Sequence, residues 1–374
     1  MRKFSLGAYR FQVDKQLVHM DQGACYCPEY LATRAQCHYP SRVAQVARAV
    51  WLGQLPASEY GADMVFSSIL SGQGERWQNF GEDQNDYLLC MMLFREMFVN
   101  KKFKSDAVNL LHDVVKENSG HIMKVSQKEC DLWKESLPLA DDSTTCLFVD
   151  DATFACTSHC AYDLGVFLKS RGITVQPQFG PFFGGFEYFA TGLIDEGYQH
   201  LLDLVQTLQK NGVRKVITLS GQSQYLLTTL CDKLGIRHEL HVESALSLCD
   251  SLDVTKGYIY GGSFFTRYLR MEGTLNQLSS APVEHPVANS WEFVPLIQGE
   301  NRVNKVTIWQ APVSAEYISF GAQPGILDKI YEGGVEEIHR TSYKQLVVCD
   351  PYAYAALKKH GCNENIVYFT SLLR

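Results

Sequence analysis

Cysteine is the residue type in this chain that most needs a chemical explanation, because twelve of the 374 residues are cysteines. The N-terminal stretch "MRKFSLGAYRFQVDKQ" lacks the apolar segment of a signal peptide, so we expect a cytoplasmic protein. Cytoplasmic cysteines are thiols or metal ligands rather than disulfides. An isolated cysteine is most simply a small buried side chain. That prediction covers Cys130, Cys146, Cys231, Cys249 and Cys362.

A zinc site is one chemistry open to the cysteines near the N-terminus. Cys25 and Cys27 form a C-x-C pair, and the dipeptide Cys37-His38 would supply two further ligands. Zinc motifs usually carry two well-spaced ligand pairs, and a single C-x-C pair followed by one Cys-His dipeptide departs from that spacing. The sequence therefore gives this site little support.

A second candidate for metal or thiol chemistry follows the first predicted strand. Cys156 and Cys160 lie one helical turn apart and His159 lies beside Cys160, while Cys349 opens a turn in the second half of the chain. These side chains would form one site only if the two halves of the protein brought them together. We predict that the chain holds no metal. If it did hold one, Cys156, His159 and Cys160 would be the candidate ligands.

Composition excludes several classes of function. The net charge is −7 and the pI is about 5.9, without the Lys/Arg runs of a nucleic-acid-binding protein. Apolar runs are too short to cross a bilayer, so no transmembrane segment is expected. The expected location is the cytoplasm, including the periphery of a membrane complex. The sequence contains neither a P-loop nor a G-x-G-x-x-G motif, and no catalytic residue is predicted.

The first part of the chain, residues 1–140, has the pattern of a helical domain. The stretch "SRVAQVARAVWLGQ" has apolar residues at helical spacing, with Ser41 as the expected N-cap. The stretch "KSDAVNLLHDVVKENSG" repeats that spacing. The segment between them, from Gly53 to Asp86, is rich in Gly, Ser and Gln, and we predict that it is partly loop.

Beyond residue 140, short apolar strands alternate with helices, which predicts an α/β fold with a mostly parallel sheet. The predicted strands include "TCLFVDD", "RKVITLS", "VNKVTIWQ" and "YKQLVVCD". The stretches "VRKVITLSGQSQYLLTTL" and "SYKQLVVCDPYAYAALKK" share a strand, a turn and a Tyr-bearing helix, which indicates an internal duplication. We therefore predict two repeats, residues 141–258 and 259–374. An unrelated doubly wound α/β protein would show the same alternation.

The turns after these strands resemble the cysteine-rich CCG domain of heterodisulfide reductase B subunits, which also occurs in glycolate and lactate oxidase iron–sulfur subunits. That family has a Cys after the first strand, then a Cys-Cys-Gly turn, then a Cys-Pro-x-Cys turn. In this chain Ala152 stands at the first position, in "LFVDDAT". Phe182 and Phe183 of "PFFGG" stand at the paired cysteines. Ser220 and Ser223 of "LSGQSQ" stand at the last turn.

The second half of the chain resembles the same pattern. In "IYGGSFFTRYL", Ser263 stands at a Cys position of the family and Arg267 matches its Arg. The other matched positions are Trp309 and Gln310 in "TIWQAP", together with Cys349 and Tyr352 in "VVCDPYAYAAL". Cys349 is thus the one cysteine kept among these positions of the second repeat.

The helical part resembles the two-cluster ferredoxin module that accompanies such domains. The motif of that module, C-x-x-C-x-x-C-x-x-x-C-P, occurs twice in the family. The first copy falls on Leu17, Met20, Gly23 and Cys27. The second copy falls on Cys90, Leu93, Glu96 and Asn100. One cysteine of four survives in each copy.

The resemblance implies the layout of a heterodisulfide reductase C–B fusion, with a degenerate helical ferredoxin-like domain followed by two Rossmann-like CCG-type repeats. A four-iron cluster is normally held by four cysteines, so no iron–sulfur cluster or other cofactor is expected. Because protein interiors are close-packed, other side chains must fill the vacated volume. We expect Phe182 and Phe183 to be buried near Ser220 and Ser223, and the serines, including Ser263, to cap helices.

The function implied by the resemblance is that of a cluster-free, non-catalytic structural subunit in a heterodisulfide-reductase-like electron-transfer complex. Its expected partner is a cluster-bearing paralogue, and any activity would be the oxidoreductase activity of the complex. The segment from Tyr60 to Asn100 is the expected contact surface, because aromatic residues are enriched at interfaces. Its other aromatic residues include Phe66, Trp77, Phe80, Tyr87 and Phe94, and some of these are expected to pack internally. The alternative is a repurposed pocket that binds a small molecule or a metal, with or without enzymatic activity.

Overall fold

The computed structural model describes residues 4–15, 27–72, 85–103, 106–177, 180–255, 257–281, 283, 324–339, 344–360 and 365–374. Before the first strand the described residues are mainly helical. The helices are α1 (Arg10–Lys15), α2 (Pro28–Thr33), α3 (Pro40–Trp51), α4 (Glu59–Ser67), α5 (Asn85–Asn100), α6 (Asp106–Glu117) and α7 (Gln127–Ser136). A short 3-10 helix, Gln36–His38, precedes α3.

Helix α5 is the centre of the helical part. Its residues from 87 to 94 are all buried, and it packs against α1, α3 and α4. A helix that is apolar on every side is stable only when other elements surround it, which is the situation of α5. Helix α6 is amphipathic instead, and buries Ala107, Val108 and Leu111.

One helix start differs from the sequence prediction, and another helix begins where no start was predicted. Helix α3 begins at Pro40 with Tyr39 as its N-cap, so the prediction of Ser41 as the cap was wrong. Proline suits the first helical position because its missing N–H would be unpaired there in any case. Helix α4 lies in the segment predicted to be partly loop. The Ser58 hydroxyl caps it by accepting from the Gly61 amide at 3.1 Å.

The described residues of the second part form two parallel sheets of three strands each. One sheet contains β1 (Thr145–Phe148), β2 (Lys215–Thr218) and β3 (His241–Ser244), in that order. The other contains β4 (Gly257–Tyr260), β5 (Gln345–Val348) and β6 (Asn365–Tyr368), also in that order. The expected combination of helices with parallel sheets is therefore confirmed. The two stretches that indicated a duplication form the middle strand of each sheet and the helix after it.

The helices of this part connect the strands or follow them. They are α8 (Asp151–Thr157), α9 (Ala161–Ser170), α10 (Phe186–Ala190), α11 (Ile194–Lys210), α12 (Gly221–Tyr225), α13 (Cys231–Leu234), α14 (Glu272–Leu278), α15 (Pro324–His339) and α16 (Pro351–Lys359). Two π-helical segments, Leu226–Leu230 and Ser263–Tyr268, are also present. Short 3-10 helices are Ser158–Cys160, Ala245–Leu248 and Phe369–Leu372.

Two stretches differ from the secondary structure that the sequence predicts. The helix predicted after β2 consists of α12, a π-helical segment and α13. The stretch "HVES", which was not predicted to be a strand, is β3, where Glu243 forms an ion pair with Lys215 of β2. The predicted strand "VNKVTIWQ" lies outside the described residues. Among the helices that the structure describes, none is long and apolar enough to span a membrane.

The two sheets meet through the helices at their carboxyl ends. Helix α8 of the first sheet packs on α16 of the second, and α12 packs on the segment Ser263–Tyr268. A Cβ atom on Gly221 would lie 2.7 Å from the Phe264 Cβ atom, so this contact requires glycine. The Tyr368 hydroxyl at the end of β6 donates to the Leu219 carbonyl at 2.8 Å. The ends of β2 and β6 are thereby joined directly.

Arg95 of α5 attaches the helical part to the first sheet's helices. Its side chain is fully buried, and its Nη1 donates to the Ala190 carbonyl at the end of α10 at 2.5 Å. Its Nη2 donates to the carbonyls of Val65 and Ser68 within the helical part. A buried guanidinium that loses these acceptors is costly, so the contact holds the two parts together.

Candidate functional site

The carboxyl ends of β1 and β2 place two polar caps side by side. Asp150 caps α8 by accepting from the Thr153 amide at 2.9 Å, and Ser220 caps α12 by accepting from the Ser223 amide at 3.2 Å. Because the strands are parallel neighbours, both caps lie at the same edge of the sheet, where ligands bind in open α/β folds. The hydroxyls of Ser220 and Ser223 both donate to Oδ2 of Asp150, the second over 2.8 Å.

The expectation that the serines cap helices is confirmed at one position of three. Ser220 is an N-cap, whereas Ser223 lies inside α12 and uses its hydroxyl for Asp150. The prediction for Ser263 was also wrong, because Gly262, with a φ of 78°, is the N-cap of the segment Ser263–Tyr268. A Cβ atom on Gly262 would lie 2.8 Å from the Cβ of Asp350, so glycine allows the close approach. The Ser263 hydroxyl accepts from Arg267 at 3.0 Å.

Glu187 of α10 joins the two sheets in the buried region. Its Oε1 accepts from Nε2 of Gln222 at 3.0 Å and from the Tyr352 hydroxyl of α16 at 3.0 Å. Burial raises the pKa of Glu187 to about 7. Burial also raises the pKa of Tyr352 well above its ordinary value, so its hydroxyl keeps the proton that it donates to Glu187.

Asp350 occupies the turn between β5 and α16 in the second sheet. It caps α16 by accepting from the Ala353 amide at 2.9 Å. Burial raises its pKa to about 7, and the negative charge of Asp150 contributes to this shift in the same direction. The caps of the two sheets are therefore close enough to influence one another electrostatically.

His121 and Asp151 form an ion pair next to this region. Nδ1 of His121 lies 2.8 Å from Oδ1 of Asp151, and the Ile122 amide donates to Oδ2 at 2.8 Å. The hydrogen bond to Asp151 raises the pKa of His121. Burial raises the pKa of Asp151, while the contact with His121 acts in the opposite direction.

Five positions that the resemblance assigns to lost cysteines line one narrow cavity. Its volume is about 10 Å³, room for a single water molecule at most. Glu187, Asp150 and Asp151 also face it. The five positions are Ala152, Phe182, Phe183, Ser223 and Tyr352. Residues scattered over two hundred positions of sequence thus meet at one point between the sheets.

The expected burial of Phe182 and Phe183 near the two serines is confirmed. Both side chains are about 7% exposed. The Phe182 ring stacks on Phe148 of β1 with a centroid separation of 4.3 Å, and its backbone pairs with Asp150. Phe183 contacts the His200 ring at 4.9 Å, and its carbonyl accepts from Nε2 of His200 at 2.6 Å. The aromatic rings therefore occupy volume on both sides of the turn.

Glycine is required in the turn that follows these rings. Gly185 has a φ of 80°, in the left-handed region that side chains with a Cβ rarely adopt. A Cβ atom there would also lie 2.6 Å from Cδ2 of His200. The glycine thus lets the chain turn closely against α11 and start α10.

The other matched positions are buried in separate places or lie outside the description. Ser263 and Cys349 are fully buried near the second sheet. Cys27 is buried, with its thiol 3.2 Å from the Glu29 carboxylate. The second ferredoxin-like set, Cys90, Leu93, Glu96 and Asn100, lies on α5. Cys90 and Leu93 are buried, and Asn100 is exposed. The positions outside the described residues are Leu17, Met20, Gly23, Trp309 and Gln310.

The candidate metal or thiol ligands do not form a group. Burial raises the pKa of Cys156 to about 12 and that of Cys160 to about 11, which disfavours the thiolate that a metal needs. Nε2 of His159 instead forms a hydrogen bond with the Tyr354 hydroxyl at 2.9 Å. Across the described ranges, no three His, Cys, Asp or Glu side chains are placed to hold a metal ion. Cys25 of the zinc hypothesis lies outside those ranges, and His38 bonds to Ser67.

A larger cavity of about 650 Å³ shares Phe182 and Phe183 with the narrow one. Helix α11 forms one wall, and residues 176–177 and 181–183 form another. His121 also faces it, so the ion pair with Asp151 lies between the two cavities. This cavity could not be predicted from the sequence, because its lining comes from four separate segments.

The buried acids were missed for a related reason. Asp150 and Asp151 stand directly after a strand, and Asp350 precedes a proline at a helix start, which are signals for caps. The contact between Glu187 and Tyr352 joins residues from different sheets, and nothing local in the sequence indicates it. Among protein-family models, curated proteins and solved structures, none matches the chain. The family resemblance therefore stays a prediction.

Proposed function

We propose that this protein is a cluster-free, non-catalytic structural subunit of a heterodisulfide-reductase-like electron-transfer complex. The observation that carries the proposal is the convergence of Ala152, Phe182, Phe183, Ser223 and Tyr352 on one narrow cavity. These are the positions at which the resembled family holds cluster ligands. Under this proposal the two sheets are CCG-type, Rossmann-like repeats, and the helical part is a degenerate ferredoxin-like module.

Internal contacts at the matched positions support a structural role. Ser220 and Ser223 donate to Asp150, and Tyr352 donates to Glu187. Each polar replacement therefore satisfies a buried acceptor, and the two phenylalanines supply apolar bulk. Side chains that are engaged in this way stabilise the junction between the sheets. A subunit of this kind would contribute an interface while a cluster-bearing paralogue carries the electrons.

The interface with a partner requires a revision. Phe66, Tyr87 and Phe94 belong to the core of the helical part, as expected for some of these aromatic residues, so they do not contribute to a contact surface. Tyr60 is 66% exposed and is available for a partner. Trp77 and Phe80 lie outside the described residues. Their spacing predicted an interface because exposed and buried aromatic residues have the same signature in sequence.

The alternative of a repurposed pocket at the former cluster position has less support. The narrow cavity accommodates no molecule larger than water, and its polar walls are already paired. Binding of a small molecule there would require the two sheets to separate. The larger cavity does not have this limit.

Isolation of the protein from its source under native conditions tests the proposal. We expect it to co-purify with at least one cluster-bearing subunit, through an interface of more than about 1,000 Å². Iron and sulfide analysis of the separated chain, after anaerobic reconstitution, is expected to show no stoichiometric cluster. The partner subunit from the same preparation is the positive control. A 42 kDa monomer without a crosslinked partner, or about four irons per chain, would contradict the proposal.

A further inference from the structure

The 650 Å³ cavity has the size of a small-molecule site, since such sites commonly enclose about 300–1,000 Å³. Part of its lining is apolar. Phe182, Phe183 and Leu208 are nearly buried and present the last exposed parts of their side chains to it. Pro177 and Pro181 add flat apolar surface from the facing loop. A planar apolar group would gain the most contact in this space.

The charged groups that line the cavity favour a cation. Asp141 and Asp203 both face it from exposed positions. The positive charge that His121 can carry is matched by Asp151 at 2.8 Å, so this pair adds little net charge. No Lys or Arg is found among the described residues that line the cavity. The carboxylates of Asp141 and Asp203 therefore dominate the field inside it.

Two histidines add directional contacts to the lining. Nδ1 of His121 is engaged by Asp151, which leaves Nε2 as the nitrogen for a ligand. His200 donates from Nε2 to the Phe183 carbonyl, so its neutral ring has a lone pair on Nδ1. A ligand with an N–H group can meet this acceptor while its body lies on the phenylalanines.

We propose that this cavity binds a small organic cation with a flat aromatic body, its ammonium group directed to Asp141 and Asp203. This site is separate from the structural role proposed above, and either proposal can fail alone.

Isothermal titration of the full chain with tryptamine tests the site, with indole-3-propionate as the matched anion. Both probes carry the same ring on a short chain and differ in the charge at its end. We expect tryptamine to bind with at least about tenfold higher affinity, because two carboxylates attract one probe and repel the other. Equal binding of the two probes, or saturable binding of neither, would overturn the proposal.

Variants locate the binding within the cavity. The double variant Asp141→Asn with Asp203→Asn should remove the preference for tryptamine, whereas Asp163→Asn on α9 should leave it unchanged. Leu204→Trp places a large ring in the cavity and should abolish binding of tryptamine. Leu110→Trp, at another accessible helical leucine, should not. Unchanged tryptamine binding by the Leu204→Trp variant would place the site elsewhere and reject the assignment.

Discussion

At the scale of single residues, Phe183 gives the most direct measure of how well the turn is packed. Its ring is buried and contacts Tyr188 at 5.3 Å and His200 at 4.9 Å. We expect Phe183→Ala to lower the free energy of unfolding by about 3–5 kcal/mol, because truncation leaves a cavity that the neighbours fill only in part. Denaturant unfolding measures the change.

The control for this prediction is Phe183→Leu, which keeps most of the apolar volume and should cost clearly less. Tyr162→Ala, which truncates an aromatic side chain that is 69% exposed, should have little effect. A change within about half a kcal/mol for Phe183→Ala would mean that the ring contributes no packing.

The residue scale also shows what the sequence could and could not predict. Paired bulky residues before Gly-Gly predicted a filled volume, and the two phenylalanines do fill one. The role of Glu187 could not be predicted, because burial raises its pKa and its hydrogen-bond donor Tyr352 is 165 positions away. A pKa shift of this kind depends on neighbours in the folded structure, which cannot be read from the residue type.

At the scale of elements, the cap of α12 serves two purposes. The Ser220 hydroxyl accepts from the Ser223 amide and donates to Asp150. We expect Ser220→Ala to lower the free energy of unfolding by about 2–4 kcal/mol, the sum of a lost cap and of a weakened buried carboxylate contact.

Ser58→Ala is the matched control, since Ser58 caps α4 at an exposed position by accepting from the Gly61 amide. It should cost only about 1 kcal/mol, the usual contribution of a cap. Denaturant titrations of both variants compare the losses. If they were equal, the contact between Ser220 and Asp150 would contribute no stability.

Elements were predicted well where a local pattern determines them. Strands β1, β2 and β5 are short apolar runs, and helix α11 has a clear apolar face that ends before Asn211 and Gly212. Strand β3 was missed because its residues are partly exposed and polar, and its pairing with β2 determines its conformation. The π-helical segment Leu226–Leu230 was missed because the apolar spacing of π and α turns is nearly the same.

At the scale of the whole molecule, the junction between the sheets contains two carboxyl groups that prefer to be neutral. Glu187 bonds to Gln222 and Tyr352, and Asp350 caps α16 beside Gly262. Burial raises the pKa of both groups to about 7. The folded protein therefore binds protons that the unfolded chain has already released at neutral pH, and stability depends on pH as a consequence.

The sign of this dependence follows from the raised pKa values. Stability from these two groups is complete below about pH 4, and it is lost as the pH rises through 7. Each group accounts for a loss on the order of 3 kcal/mol over that range, because one pKa unit corresponds to about 1.4 kcal/mol. His121 acts in the same sense because its pKa is raised as well. The lowered pKa values of His38 and His159 act in the opposite sense.

We expect Glu187→Gln to flatten the fall in stability between pH 5 and pH 7.5 in the whole molecule. The glutamine carbonyl can still accept from Tyr352 and Gln222, but it carries no charge at any pH. The variant should therefore match the native chain at pH 5 and exceed its stability at pH 7.5 by on the order of 3 kcal/mol. Asp350→Asn should act similarly, since asparagine is also a good N-cap.

Unfolding free energies measured at both pH values give the dependence of stability on pH. The control variant Glu135→Gln, on exposed α7, should leave this dependence unchanged. Parallel slopes for Glu187→Gln and the native chain would show that Glu187 is ionised in the fold at pH 5, and the junction would then contain a buried charge instead of a buried proton.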